Sequence, residues 1–182
     1  MDLGIKGRWA ILSGSSRGLG WACAQSIARE GANVVINGRT SADVDEAVAQ
    51  LTSLHHIEAR GVVGDSATAS VQDALMSACP EPDIVLLNGQ GPSPKAFLDI
   101  ESEDWDSAVR QALTGPLALV QRVVPGMRDR GFGRIVAVSS AMVKSPNSFM
   151  SLSHGTRLGL TGVLKGLSKD LAKYNVTVNQ LL

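Results

Sequence analysis

Cysteine is scarce: Cys23 and Cys79 are the only two in 182 residues, and neither belongs to a CxxC or any other metal-ligand spacing. That excludes a disulfide framework and a cysteine-built metal site, and it fits reduced thiols in a cytoplasm. Net charge is absent as well, with 17 basic against 17 acidic side chains. The balance argues against a nucleic-acid-binding face and against a charged, disordered tail. No apolar run approaches the roughly 18 residues of a membrane span, and the opening Met1-Asp2-Leu3-Gly4-Ile5-Lys6-Gly7-Arg8 has no signal-peptide core. Aromatics are few (three Phe, three Trp, one Tyr), whereas glycine is plentiful at 19 residues and 44% of the chain is apolar. A domain of this size can bury about 70% of the surface its unfolded chain exposes. The expectation is one intracellular domain, 1–182, with no metal, nucleic-acid or membrane partner.

Short apolar runs alternate with long amphipathic stretches. Ala10-Ile11-Leu12, Val34-Val35-Ile36, Val62-Val63, Ile84-Val85-Leu86-Leu87, Ile135-Val136-Ala137-Val138 and Val176-Thr177-Val178 read as six strands, since strands buried on both faces need continuous aliphatic runs. Helical segments are expected at about 19–30, 41–54, 67–79, 103–130 and 151–173. Thr40-Ser41-Ala42-Asp43 offers a capping box for the second segment, and Gly31 and Gly131 stand where helix C-caps fall. Pro116 and Pro125 are expected to bend or break the long segment 103–130. Strand–helix–strand alternation with short connections forces parallel pairing. The fold class is therefore α/β, a Rossmann-type doubly wound parallel sheet with helices on both faces. Ligands of such sheets bind beyond the carboxyl ends of the strands, which makes the loop Asn88-Gly89-Gln90-Gly91-Pro92-Ser93-Pro94 a candidate site.

Ser13-Gly14-Ser15-Ser16-Arg17-Gly18-Leu19-Gly20 joins the first strand to the first helix. Glycines at such a turn let the phosphates of a ligand approach the backbone and the helix N-terminus. Position in the chain, after the first strand and opening the first helix, favours a dinucleotide-binding turn over a plain glycine-rich one. The spacing is Gly-x-x-x-Gly-x-Gly.

With this turn the sequence resembles the short-chain dehydrogenase/reductase family, in the branch of bacterial 3-oxoacyl-carrier-protein reductases. The resemblance runs over essentially the whole chain. It rests on the turn 14–20, Asp65 after the third strand, Asn88-Gly89-Gln90-Gly91 after the fourth and Trp105 in the segment 103–130, together with Gly133-Arg134-Ile135-Val136-Ala137-Val138-Ser139-Ser140 and Val176-Thr177-Val178-Asn179. It implies binding of NAD or NADP and hydride transfer to or from a carbonyl or alcohol carbon. By the same resemblance Gly14, Ser16, Gly18, Leu19 and Gly20 hold the cofactor, Asp65 and Ser66 lie by the adenine, and Asn88 and Gly89 run along the adenosine ribose and phosphates. Asp65 can equally be an ordinary strand-end turn former. NAD-specific members carry an acid at the end of the second strand, where this chain reads Ile36-Asn37-Gly38-Arg39-Thr40. Arg17 and Arg39 together can flank a 2′-phosphate, a task that suits the planar, permanently charged guanidinium. NADP is the expected cofactor, ahead of NAD.

The family's catalytic set is an Asn, a Ser, a Tyr and a Lys four residues after the Tyr. Only the Ser is matched, by Ser140; the other three positions hold Ala112, Ser153 and Arg157. The single tyrosine, Tyr174, is followed four residues later by Val178 and falls in the turn before the last strand. Arg157 can anchor a ribose electrostatically, but it stays protonated and cannot shuttle protons. The residues 151–157, with Lys144 after Ser140, resemble a divergent reductase-like subgroup that lacks the Tyr and Lys. Two substitute proton donors stand nearby. Lys144 would need burial to serve as an acid, and His154 brings an imidazole, the side chain type whose ordinary range lies nearest neutrality. Against these roles, Lys144 can be solvated and His154 packed in a helix interface.

Relatives continue past Asn179-Gln180-Leu181-Leu182 with a substrate lid and a seventh strand, so a truncated C-terminus is expected. The resemblance also implies homo-oligomers, tetramers or dimers, built by pairing the last two helical segments. Leu158, Leu160, Val163, Leu164, Leu167 and Leu171 give 151–173 more apolar surface than one core face needs. Three functions follow. The first is an NADP(H)-dependent oxidoreductase acting on a small carbonyl or alcohol by an altered proton route. The second is a non-catalytic NADP(H)-binding sensor or regulatory subunit, and the third an oligomer scaffold. The glycine turn, Asp65 and the paired arginines speak against the third.

Overall fold

Branched aliphatic runs flanked by amphipathic segments bury both faces of one sheet in the computed structural model, which describes residues 2–182. The strands are β1 (Trp9–Leu12), β2 (Asn33–Gly38), β3 (Ala59–Val63), β4 (Ile84–Leu87), β5 (Gly133–Val138) and β6 (Val176–Leu181). All pair in parallel, in the order β3-β2-β1-β4-β5-β6. Ile11 of β1 is flanked by Val35 on one side and Val85 on the other. Between β1 and β4 the strand order reverses, and a doubly wound sheet opens its ligand crevice at that point.

Successive residues of a strand point to opposite faces, and the two cores divide accordingly. Ala10, Leu12, Val34, Ile36, Ile84 and Leu86 pack with Ala24 and Ala28 of helix α1 (Gly18–Arg29) and with Val44 and Leu51 of α2 (Ser41–His55). Ile11, Val35, Val85 and Ile135 pack on the other face, against α3 (Ala69–Ala78), α5 (Gly115–Asp129) and α6 (Ser151–Leu171). Leu75, Leu119, Met127 and Leu164 fill that second core, each almost wholly buried. Among the described residues no helix is long and apolar enough to cross a membrane.

Two local expectations need correction. Thr40 does cap α2, but its side chain bonds nothing there. Asp43, the intended partner, is turned to Arg17 at 3.1 Å. A capping box forms instead at helix α4 (Ser102–Val109), between Glu101 and Asp104. The segment 103–130 is helical through Asp129, as expected, with a π bulge in place of a plain bend. It is α4, a π turn over Arg110–Thr114, and α5. Pro116 explains the π turn: it lacks an N–H for the Ala112 carbonyl and its ring crowds that carbonyl, so the chain widens and the Gly115 N–H reaches Arg110 O. Pro125, by contrast, sits inside α5 without ending it. The carbonyl it leaves unbonded belongs to Gln121, which is exposed, so water can take the place of the lost donor. Gly31 and Gly131 follow α1 and α5 at positive φ, as helix C-cap glycines do. Tyr174 ends a short 3₁₀ turn before β6.

Candidate active site

The turn after β1 lies at the switch point and is locked from beneath. Gly14 has φ +56°, and a Cβ there would stand 2.7 Å from Asn88 O. At Gly20 a Cβ would stand 2.2 Å from Gly14 O, closer than any atom tolerates. The Asn88 Nδ2 donates to Gly14 O at 2.7 Å, which ties the end of β4 to the turn. Ser15 is fully buried, and its hydroxyl donates to Leu12 O at 2.6 Å. Asn37 completes the lock. Its Oδ1 accepts from Gly14 N at 3.2 Å, while its Nδ2 donates to Val62 O at 3.0 Å and Gly64 O at 3.1 Å. One buried amide thus joins the ends of β1, β2 and β3. The sequence reading gave Asn37 no role, although a polar residue closing the run Val34-Val35-Ile36 was the available signal.

Above this turn opens a polar cleft of about 240 Å³ at the carboxyl ends of β1 to β4. Gly14, Ser16, Arg17, Arg39, Asp65, Ser66, Asn88 and Gly89 are among the residues that line it. Eight of the expected cofactor residues therefore meet in one place. Gly18 and Leu19 open α1 beside the cleft, with Leu19 70% exposed, and Gly20 is buried under it. No side chain caps α1, so its first amides remain available to an anion. Arg17, itself exposed, pairs with the half-buried Asp43 at 3.1 Å, a contact that contributes little and yields to a better anion. Arg39 donates to Gln90 Oε1. Asp65 is both a turn former and a cleft residue: its Oδ1 accepts from Ala67 N at 2.9 Å.

The cleft continues toward β5 but narrows to about 40 Å³ between Leu87, Asn88, Ala112, Val138 and Arg157. Of the five candidate catalytic residues only Arg157 lines this part. Its Nη1 donates to Val138 O at 3.2 Å, and its Nε is buried without a partner. Burial holds this guanidinium below the ordinary arginine range. Ser140 lies two residues beyond β5, half-buried, with its Oγ accepting from Met142 N at 3.2 Å. Ser153 and His154 are buried at 4% and 9% exposure. The His154 Nε2 accepts from Asn147 N at 3.2 Å and fastens the loop before α6. Lys144 is exposed. A third cleft, about 300 Å³, opens along Gly91, Pro92 and Lys95 beside Asp104. Gln111, on the π turn next to Ala112, lines all three spaces and went unnoticed in the sequence.

A family model described as short chain dehydrogenase matches residues 8–182. The 3-oxoacyl-(acyl-carrier-protein) reductase FabG of Aquifex aeolicus is 30% identical to this chain, covering 98% of it and 74% of the reductase. Dehydrogenase/reductase SDR family member 4 of Homo sapiens is 31% identical, covering 94% of this chain but only 63% of its own length. Among solved structures, the L-sorbose reductase of Gluconobacter frateurii, complexed with NADPH and L-sorbose, is similar with a TM-score of 0.93 at 30% identity. That match covers 99% of this chain and 70% of the reductase.

Proposed function

Because this chain belongs to the short-chain dehydrogenase family, we propose that it is an NADP(H)-dependent oxidoreductase acting on a small carbonyl or alcohol substrate. The observation that carries the reading is the pair Arg17 and Arg39 on the rim of the 240 Å³ cleft, at the end of a β2 strand that bears no carboxylate. Two guanidiniums without a competing acid at the strand end suit a 2′-phosphate better than free ribose hydroxyls. The NADPH held by the L-sorbose reductase supports the same choice. The residues present fit the phosphate-bearing half of such a cofactor: Gly14 and Gly20 leave no room for a side chain, and α1, which starts directly after the cleft residues Ser16 and Arg17, has no side-chain cap on its first amides.

When bound, NADPH would supply a hydride to the substrate carbon and NADP⁺ would accept one. In this reading the Ser140 hydroxyl donates a hydrogen bond to the substrate oxygen as negative charge develops on it. Arg157 adds positive charge at that end and keeps its own proton. Neither Lys144, exposed, nor His154, whose Nε2 already accepts a backbone N–H, is arranged as an acid. Solvent therefore delivers the proton, and turnover is slow. Exposed Leu158 and Val163 on α6, at 45% and 49%, support self-association through the last helices. The unpaired Cys23 and Cys79 support a reducing, cytoplasmic setting.

One observation favours a second reading, a non-catalytic NADP(H) sensor: Ser153, at the position that the family resemblance assigns to the proton-transferring tyrosine, is buried. A carbonyl screen with NADPH separates the two. The oxidoreductase is expected to turn over slowly, and Ser140→Ala to lower kcat by about tenfold or more through loss of the hydrogen bond to developing charge. Lys144→Met and His154→Gln should leave kcat within about threefold, since loss of a true general acid lowers the rate by about 10²–10⁴. Undiminished turnover in Ser140→Ala overturns the assignment of Ser140, and NADPH binding without turnover across the screen selects the sensor.

A further inference from the structure

The two halves of the crevice differ sharply. A doubly wound sheet is built from two mononucleotide-binding halves on either side of its switch point. Here the polar cleft at the ends of β1 to β4 offers about 240 Å³, whereas the space between Leu87, Ala112, Val138 and Arg157, where β4 and β5 end, offers about 40 Å³, the latter room for roughly one to three water molecules. The side chain that narrows it is Arg157, which reaches from α6 to the end of β5, with Nη1 on Val138 O at 3.2 Å. On its far side Gly91 approaches so closely that a Cβ there would stand 2.8 Å from Arg157 Nη2. The guanidinium is thus wedged between the end of β5 and the loop after β4.

This closed position is weakly held. Among the described residues no carboxylate pairs with Arg157, and its buried Nε has no acceptor. A buried donor left unsatisfied is unfavourable, which offsets part of what the bond to Val138 O contributes. A charged side chain with one bond made and one donor orphaned is poised to leave when another acceptor comes within reach.

We propose that Arg157 closes the nicotinamide half of the cleft. The protein then captures its dinucleotide by the adenosine 2′-phosphate half and admits the remainder only when the guanidinium leaves Val138. This rests on the NADP(H) reading and adds an internal barrier to it. Affinity for a ligand that needs the open state is reduced by the fraction of molecules in that state. A fragment that needs only the open half carries no such reduction.

The test is calorimetric titration with adenosine 2′,5′-bisphosphate and with NADPH, backed by the fluorescence of the bound nicotinamide. For the wild type, NADPH should bind no more than about threefold tighter than the fragment, and its emission should stay close to that in water. In Arg157→Ala, NADPH should gain about tenfold while the fragment is unchanged, and the bound ring should brighten. Arg157→Lys, whose compact head cannot span from Val138 to Gly91, should move in the same direction. It keeps the experiment decisive if the alanine variant melts early. A wild-type preference for NADPH well beyond tenfold, or a ratio that neither variant changes, overturns the proposal while leaving the cofactor assignment intact. Failure of both ligands to bind the wild type overturns the cofactor assignment, and this proposal with it.

Discussion

Replacing Arg17 and Arg39 together by alanine is expected to weaken NADP(H) binding by about 1–3 kcal/mol, roughly 5- to 150-fold, while NAD(H) binding barely moves. Both guanidiniums reach the 240 Å³ cleft, and their present partners are modest ones: Asp43 for Arg17 and the Gln90 amide oxygen for Arg39. A phosphate dianion offers stronger charge-assisted bonds than either. NAD(H) has no 2′-phosphate to lose contact with, so the effect should be selective. Isothermal titration of the double variant with both cofactors measures it, and an equal loss for the two would contradict the assignment.

A comparable loss is expected from a single methyl group at Gly20. The Cβ of alanine would lie 2.2 Å from Gly14 O and 2.8 Å from Asn88 Nδ2 and Ser15 Cα. Two of these three atoms are backbone, so no rotamer change relieves the clash. Overpacking of this kind costs about 1–3 kcal/mol, and for a chain of this size each kcal/mol lowers Tm by about 2–4 °C. Relief requires Gly14 and Asn88 to move, which dismantles the anion-binding turn. Gly20→Ala should therefore lower Tm and reduce NADPH affinity by at least about tenfold. A variant with unchanged melting and unchanged binding would show that the turn is not packed as described.

The sheet was legible in the sequence because buried parallel strands demand something few other elements do, continuous Val/Ile/Leu runs such as Ile84–Leu87 and Ile135–Val138. The cofactor cleft was legible because backbone geometry ties glycines to a particular turn. What depends on tertiary partners was not. The capping box at Thr40 fails because Asp43 finds Arg17, a residue far away in the chain. Asn37 fastens three strand ends, yet on its own it reads as an ordinary polar residue closing a strand. Lys144 and His154 are near Ser140 and Ser153 in sequence, but the loop before α6 exposes the first and enlists the second as an acceptor. The π turn at Arg110–Thr114 follows from Pro116, although the proline alone foretold only a bend or a break. Arg157 was recognised as a replaced lysine. That it fills the narrow end of the cleft emerges only when β5, α6 and the loop at Gly91 come together.

The most direct measurement is a paired titration of the unmodified protein with NADPH and with NADH at one ionic strength. NADPH is expected to bind at least about tenfold tighter, the worth of roughly one charge-assisted contact to the 2′-phosphate. Equal affinities, or no binding of either, would contradict the reading of this cleft as an NADP(H) site.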